Sequence, residues 1–197
     1  MANNEVRIIS GQWKGRKLRF PANQDLRPTL GRVRETLFNW LAPMIQGTRC
    51  LDLFAGSGAL GFEALSRGAA EVTFVERDRK AALALQANAQ QLHARSDSFR
   101  ILNESASGYL SRSDLSRMPE PGNAGGFDII FFDPPFGDRA AGKLLDRLLS
   151  EFLAPEGLLY LECPRRQPLP HAERQLKHAT AGDCQFALLS AEPSHHN

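Results

Sequence analysis

The stretch that most restricts how this chain can fold is residues 50–61, CLDLFAGSGALG. An apolar run through Phe54 meets a turn of small residues, Ala55-Gly56-Ser57-Gly58. A helical pattern then begins, with Leu60, Ala64 and Leu65 spaced for one face. Strand, tight turn and helix in that order form the entry to an α/β unit. Glycines at such a turn permit positive φ and let a ligand approach the main chain. The first turn of the new helix leaves N–H groups open to whatever sits there. Asp52 lies within the strand, near its carboxyl end. A carboxylate in a buried run needs a partner, and a cation held over the turn would supply one.

Gly56, Gly58 and Gly61 also spell G-x-G-x-x-G, with Glu76 following at about the distance of a ribose-binding acid. A nicotinamide or flavin site fits that spacing, and so does a site for S-adenosylmethionine, which carries a ribose as well. Two features favour the latter. Asp52 precedes the glycines, where it would repel a pyrophosphate but attract a methionyl amine. Downstream lies Asp133-Pro134-Pro135-Phe136, which no hydride transfer requires.

The remaining pattern alternates. Strands are expected over residues 71–76, 99–102, 127–132 and 157–162. Helices are expected over residues 32–41, 60–67, 78–92, 107–115 and 139–152. Val33, Leu37, Trp40 and Leu41 make the apolar face of the first helix, and Leu83, Leu85 and Ala87 the apolar side of the third. Residues 116–126 and 164–173 read as Pro-containing loops. Residues 174–179 and 184–190 read as an antiparallel pair joined at Gly182-Asp183. The fold class is therefore α/β: one domain, a mostly parallel sheet covered on both faces, closed by a C-terminal hairpin. Ligands of such sheets sit beyond the carboxyl ends of the strands. Ala55 to Gly58, Glu76 to Asp78, Asn103 to Ala106 and Asp133 to Phe136 all fall at that edge.

The chemistry of Asp133 to Phe136 is specific. Consecutive prolines donate no backbone hydrogen bond and stiffen the loop, while their carbonyls still accept. Asp133 adds a further acceptor, and Phe136 a ring. A stiff group of acceptors beside an aromatic ring suits an amino group on a flat base. The amine of guanine or adenine is a poor nucleophile because its lone pair is delocalised. If Asp133 and the Pro134 carbonyl each accept an N–H, the lone pair can turn toward an activated methyl while Phe136 stacks on the base. That is catalysis by positioning and electrostatics, and it needs no metal. The base must first leave its helix or come from a loop.

Charge points the same way. Residues 1–45 carry a surplus of five positive charges, the other 152 residues a surplus of three negative ones. Residues 5–20 read as a short hairpin in which Arg7, Lys14, Arg16, Lys17 and Arg19 interleave with Trp13 and Phe20. Cations for phosphates and rings for bases suit nucleic acid, with Trp13 favoured here for packing. Arg27, Thr29, Arg32 and Arg34 crowd just ahead of the glycine turn and could line its mouth or hold phosphates. Cys50, Cys163 and Cys184 are odd in number and widely spaced, which argues against a disulfide frame or a zinc site and for a reducing cytoplasm. The chain starts without a signal-peptide pattern and has no membrane-length apolar run, so no membrane partner is expected. His195 and His196 lie too near the end to be read as metal ligands.

RIISGQWKGRKL, LRPT, RVRETLFNWL, the glycine turn and FFDPPF together resemble the RsmD-type family of methyltransferases over roughly residues 6–190. DPPF alone marks only amino-group methylation; the N-terminal blocks make the resemblance specific. It implies a Rossmann-like fold with a seven-stranded sheet, and S-adenosylmethionine-dependent transfer to N2 of a guanine in small-subunit (16S) ribosomal RNA. It further implies that Asp52, Phe54, Ala55, Gly56 and Gly58 cradle the methionine part of the cofactor, that Glu76 takes the ribose, and that Arg77 covers the adenine. Ser105 and Ala106 fall where related enzymes have Asp or Asn; Ser is a weaker match, and Glu104 could substitute. Asp133, Pro134, Pro135 and Phe136 would hold the guanine. Arg7, Lys14, Arg16, Lys17, Arg19 and Arg32 would grip RNA. Residues 1–45 would form a basic extension and residues 46–192 the methyltransferase domain, acting as a cytoplasmic monomer on the small ribosomal subunit. A DNA adenine-N6 methyltransferase, a nicotinamide oxidoreductase and a catalytically idle RNA-binding module are the alternatives.

Overall fold

The structure, a computed structural model, describes residues 3–21, 31–111, 126–135, 137 and 140–193. The expectations placed on Arg27, Thr29, Phe136, residues 116–125 and the 194–197 tail lie outside the described residues. Nine strands are described in two sheets: a two-stranded pair, and a seven-stranded sheet in the order Phe99–Leu102, Glu71–Val75, Arg49–Asp52, Phe127–Phe132, Leu153–Pro164, Cys184–Ser190, Gln175–Ala181. Among the described residues no helix is long and apolar enough to cross a membrane. The chain divides into two compact units, Met1–Ala106 and Ser107–Asn197.

In the first unit, β1 (Asn3–Arg7) and β2 (Lys17–Pro21) form an antiparallel hairpin. Helix α1 (Gly31–Leu41) follows, then β3 (Arg49–Asp52), α2 (Ala59–Ser66), β4 (Glu71–Val75), α3 (Arg79–Gln91) and β5 (Phe99–Leu102). β3, β4 and β5 are parallel, in register from Arg49 opposite Glu71 and Val72 opposite Phe99. Parallel strands covered on both faces are apolar throughout, and Cys50, Leu51, Val72 and Phe74 are fully buried. Gly61 explains the third glycine of the motif. A Cβ there would stand 2.2 Å from Cε1 of Phe74, so the missing side chain lets α2 lie directly on β4. Phe62 completes the seam, its ring 4.8 Å from that of Phe74.

Two helix faces differ from expectation. On α3 the buried residues are Ala81, Ala82, Leu85, Asn88 and Ala89, a 3–4 residue spacing, while Leu83 and Ala87 are exposed. On α1 Val33, Leu37 and Leu41 are buried as expected, but Phe38 joins them and Trp40 is half-buried. Arg34 is also interior, which removes it from the set of solvated cations at the mouth of the turn. Asp78 caps α3 by accepting the Ala81 N–H at 2.8 Å, and Gly68, at φ +102°, follows α2.

In the second unit, α4 (Ala106–Ser111) leads in from the first, and β6 (Phe127–Phe132) follows. α5 (Ala141–Arg147) runs on into a wider π-type turn, Leu148–Phe152. β7 (Leu153–Pro164) is parallel to β6 and twice the expected length. β8 (Gln175–Ala181) and β9 (Cys184–Ser190) are the expected antiparallel pair, joined at Gly182-Asp183, with β9 against β7. Gly182 has φ +59°, a left-handed value that a side chain would resist.

Candidate active site

The exits of β3, β4 and β5 are tied into one rim. The Ala55 N–H donates to the Val75 carbonyl at 3.0 Å and the Glu76 N–H to the Leu102 carbonyl at 3.0 Å. Glu76, only 9% exposed, clasps the glycine turn: one carboxylate oxygen accepts the Gly56 N–H at 2.8 Å, the other the Asp78 N–H at 2.7 Å. The Asn103 amide closes the third side, donating to the carbonyls of Glu76 at 2.9 Å and Arg77 at 3.1 Å. Gly56 and Gly58 sit at φ +51° and +75°. A Cβ on Gly58 would fall 2.5 Å from Leu85 Cδ2, so both the conformation and the space there require glycine.

Asp52 is 3% exposed, and its Oδ2 accepts the Gly61 N–H at 3.0 Å. Its partner is thus a backbone N–H of α2, and a cation is not needed to satisfy it. That single bond does not offset the loss of water. Burial, with the nearby Glu76 charge adding to it, pushes the Asp52 carboxyl up to about 7. The rim therefore holds two buried carboxylates, and a cation placed there would be strongly favoured. Of the other residues expected here, Ala55 and Ala106 are buried, Phe54 and Glu104 half-buried, and Arg77 and Ser105 exposed.

In the second unit, Asp133, Pro134 and Pro135 follow β6 at once. Asp133 is half-buried, Pro134 buried and Pro135 exposed. On the neighbouring strand the Tyr160 hydroxyl donates to Glu162 Oε2 at 2.9 Å. Burial, then the charges of Glu162 and Asp133, hold the Tyr160 phenol well above its ordinary range, so it stays a donor.

The basic hairpin is held onto α2 and α3 by side chains that reach its main chain. Glu63, fully buried on α2, accepts the Ile9 N–H at 2.7 Å, the Ser10 N–H at 3.0 Å and Arg67 Nε at 2.7 Å. Ser66 Oγ donates to the Ser10 carbonyl at 2.6 Å and accepts the Trp13 N–H at 3.0 Å. Asn88, 3% exposed, pairs with both backbone groups of Arg19, at 3.0 and 2.9 Å. Buried Arg34 donates to the Arg7 carbonyl at 3.0 Å; burial lowers its pKa and the Glu63 charge opposes that. Trp13 is half-buried, in keeping with packing, while Phe20 is 2% exposed and has no face for a base. Arg7, Lys14, Arg16, Arg19 and Arg32 are exposed and Lys17 half-buried. Four of the hairpin cations are partly engaged: Lys17 and Arg19 reach Glu5 at 2.6 and 3.5 Å, Arg16 donates to the Gln91 carbonyl at 2.6 Å, and Arg7 donates to the Gly15 carbonyl at 3.0 Å.

Glu63 and Asn88 are not singled out from the sequence, and Asn103 is read only as the start of an edge loop. Glu63 carried a signal, as the only charge in the apolar run from Ala59 to Leu65. Asn88 carried none, and nothing marked the bridging role of Asn103, because their partners are backbone groups 69 and 26–27 residues away.

A mostly parallel sheet in this strand order, reversed at its C-terminal pair and opened by a glycine turn, is the architecture of a Rossmann-like methyltransferase domain. The family model described as "Conserved hypothetical protein 95" matches residues 6–189. The Haemophilus influenzae ribosomal RNA small subunit methyltransferase D is 43% identical over 190 residues, 95% of this chain and 94% of that one. The solved structure of Escherichia coli yhhF superposes with a TM-score of 0.81 at 39% identity, covering 96% of this chain and all of the other. A Thermus thermophilus 16S rRNA N2 G1207 methyltransferase, solved with AdoMet and guanosine, shares the fold at TM-score 0.67 and 21% identity, over 96% of this chain and 50% of that one. The chain belongs to the RsmD-type family of ribosomal RNA small subunit methyltransferases. That membership leaves the oxidoreductase alternative without support.

Proposed function

We propose that the protein transfers the methyl group of S-adenosylmethionine to the exocyclic N2 amine of a guanine in small-subunit ribosomal RNA, working as a monomer in the cytoplasm. The observation that carries this reading is the stiff acceptor turn Asp133-Pro134-Pro135, set directly after β6 in a chain whose relatives are ribosomal RNA methyltransferases.

The cofactor supplies a methyl group on a sulfonium centre. The residues of the rim fit it. Asp52 and Glu76 form a buried acidic floor, and a cationic group over it would favour the ionised form of Asp52. The backbone at Gly56 and Gly58 has no side chain in the way of a close approach. In this reading Asp52, Phe54, Ala55, Gly56 and Gly58 hold the methionyl end. Glu76, already oriented by the Gly56 and Asp78 N–H groups, keeps lone pairs for ribose hydroxyls. Arg77, Ser105 and Ala106 border the adenine.

Asp133 accepts one N–H of the guanine amine and the Pro134 carbonyl accepts the other. Both bonds raise electron density at N2 and aim its lone pair. Methylation would leave positive charge on N2. The Asp133 carboxylate stabilises that charge and is placed to take the departing proton. In the same reading Phe136, outside the described residues, would stack on the base. Arg7, Lys14, Arg16, Lys17, Arg19 and Arg32 draw in the RNA backbone, a sequence-independent contribution.

The test is incubation with S-adenosylmethionine labelled in its methyl group and small-subunit particles lacking the modification, followed by mapping of the label. Label on N2 of one guanine, lost in Asp133→Ala, is the expected result. Label elsewhere, or transfer unaffected by Asp133→Ala, overturns the reading.

A further inference from the structure

β6 and β7 run parallel, with Phe131 opposite Tyr160 and Phe132 opposite Leu161. Carried one residue further, that register sets Asp133 level with Glu162. Side chains alternate along a strand, so Phe131 and Asp133 share a face, as do Tyr160 and Glu162. The Phe131 and Tyr160 rings meet edge-on at 6.5 Å, which puts both pairs on the same face. Neighbouring strands lie about 4.8 Å apart. Two carboxylates therefore stand side by side just past the last β6–β7 pair, where β6 ends. Both are half-buried, so they are reachable and only partly hydrated.

The second carboxylate is held in place. The Tyr160 hydroxyl donates to Glu162 Oε2 at 2.9 Å, from a side chain that is itself fully buried. The Cys184 thiol, on β9, lies against the same carboxylate; burial, Glu162 and Asp133 push it up to about 11. Neither donor loses its proton near neutrality. Glu162 still has lone pairs beyond those these two groups use.

We infer that Glu162 reads the base: it accepts the N1–H of guanine while Asp133 accepts the exocyclic amine beside it. This rests on the function proposed above and adds what that function leaves open, the choice of base. The Watson–Crick edge of guanine offers N1–H and the N2 amine as adjacent donors. Adenine offers one amine next to an N1 acceptor, whose lone pair would face the Glu162 carboxylate. One acceptor at the end of β6 holds either amine; the second, beside it on β7, makes the pair complementary to guanine alone.

The discriminating experiment replaces the target guanine with 2-aminopurine in an RNA carrying the mapped site. This base keeps the C2 amine but has no proton on N1. The wild-type protein should prefer guanine by roughly ten- to hundredfold in kcat/KM, the usual worth of one specific base contact. Glu162→Gln retains an oxygen for the Tyr160 hydroxyl and gains an N–H that can donate to an unprotonated N1. Its guanine rate should fall, its 2-aminopurine rate should rise, and the preference should shrink toward parity or reverse. Tyr160→Phe, which frees the carboxylate from its anchor, should also reduce the preference and carries the same test should Glu162→Gln not fold. Equal losses on both bases, with the preference intact, overturn the inference and leave Glu162 a structural residue. A wild-type protein that methylates neither base would instead count against the proposed function.

Discussion

Removal of the Glu63 carboxylate is expected to loosen the basic hairpin while sparing the rim. In Glu63→Ala, the Ile9 and Ser10 N–H groups, which it accepts at 2.7 and 3.0 Å, lose their partner. Arg67, paired with it at 2.7 Å and only 14% exposed, and buried Arg34 lose a counter-charge. An unsatisfied buried donor costs about 1–3 kcal/mol. Breaking a buried ion pair from one side costs about 3–5 kcal/mol. These costs overlap, because one carboxylate serves all the partners, so the expected loss is about 3–5 kcal/mol. Glu63→Gln keeps one acceptor oxygen but no charge and should fall between wild type and alanine. Equilibrium urea unfolding gives the stability, and hydrogen exchange at the Ile9 and Ser10 amides locates the loss. RNA affinity should drop, since the hairpin cations would no longer be presented on a fixed frame, while S-adenosylmethionine affinity should hold. An alanine variant within about 1 kcal/mol of wild type, the worth of one ordinary hydrogen bond, or unchanged protection of those two amides, would refute the reasoning.

The Asp52 carboxyl, raised to about 7 by burial, should make cofactor binding depend on pH. In the ligand-free fold it holds its proton up to about 7, whereas the unfolded chain releases it near 4, so stability should decline as pH rises across that window and level off above it. A cationic ligand favours the ionised form, so affinity should fall by up to about tenfold per pH unit below 7; calorimetry that finds no such dependence, or finds it retained in Asp52→Asn, would count against this role. Gly61→Ala places a methyl 2.2 Å from Phe74 Cε1 and should force α2 off β4, seen as a large loss of thermal stability and of cofactor binding together. Replacing Lys14, Arg16 and Lys17 with alanine should weaken RNA binding and reduce its salt slope by roughly two to three, with cofactor affinity unchanged; an unaltered slope would remove the hairpin from the RNA interface.

The amino-acid sequence by itself determined the order of elements, because periodicity and turn chemistry are local. The apolar run of β6, the β4 run, one residue shorter than expected, and the Gly182-Asp183 turn each appear in the fold where the sequence places them. It also marked Asp52, Glu76 and Asp133, whose types are unusual for strand ends. Only the tertiary structure decided what the polar residues inside the elements do. Arg34 reads as a solvated cation and is interior, since its helix face meets the hairpin and Glu63. Asn88 reads as an ordinary helix residue and pairs with Arg19 across 69 positions. Glu162 reads as the end of a strand, and only the β6–β7 register sets it level with Asp133. A hydrogen bond or a register is a relation between segments, and neither leaves a trace in the local pattern of either one.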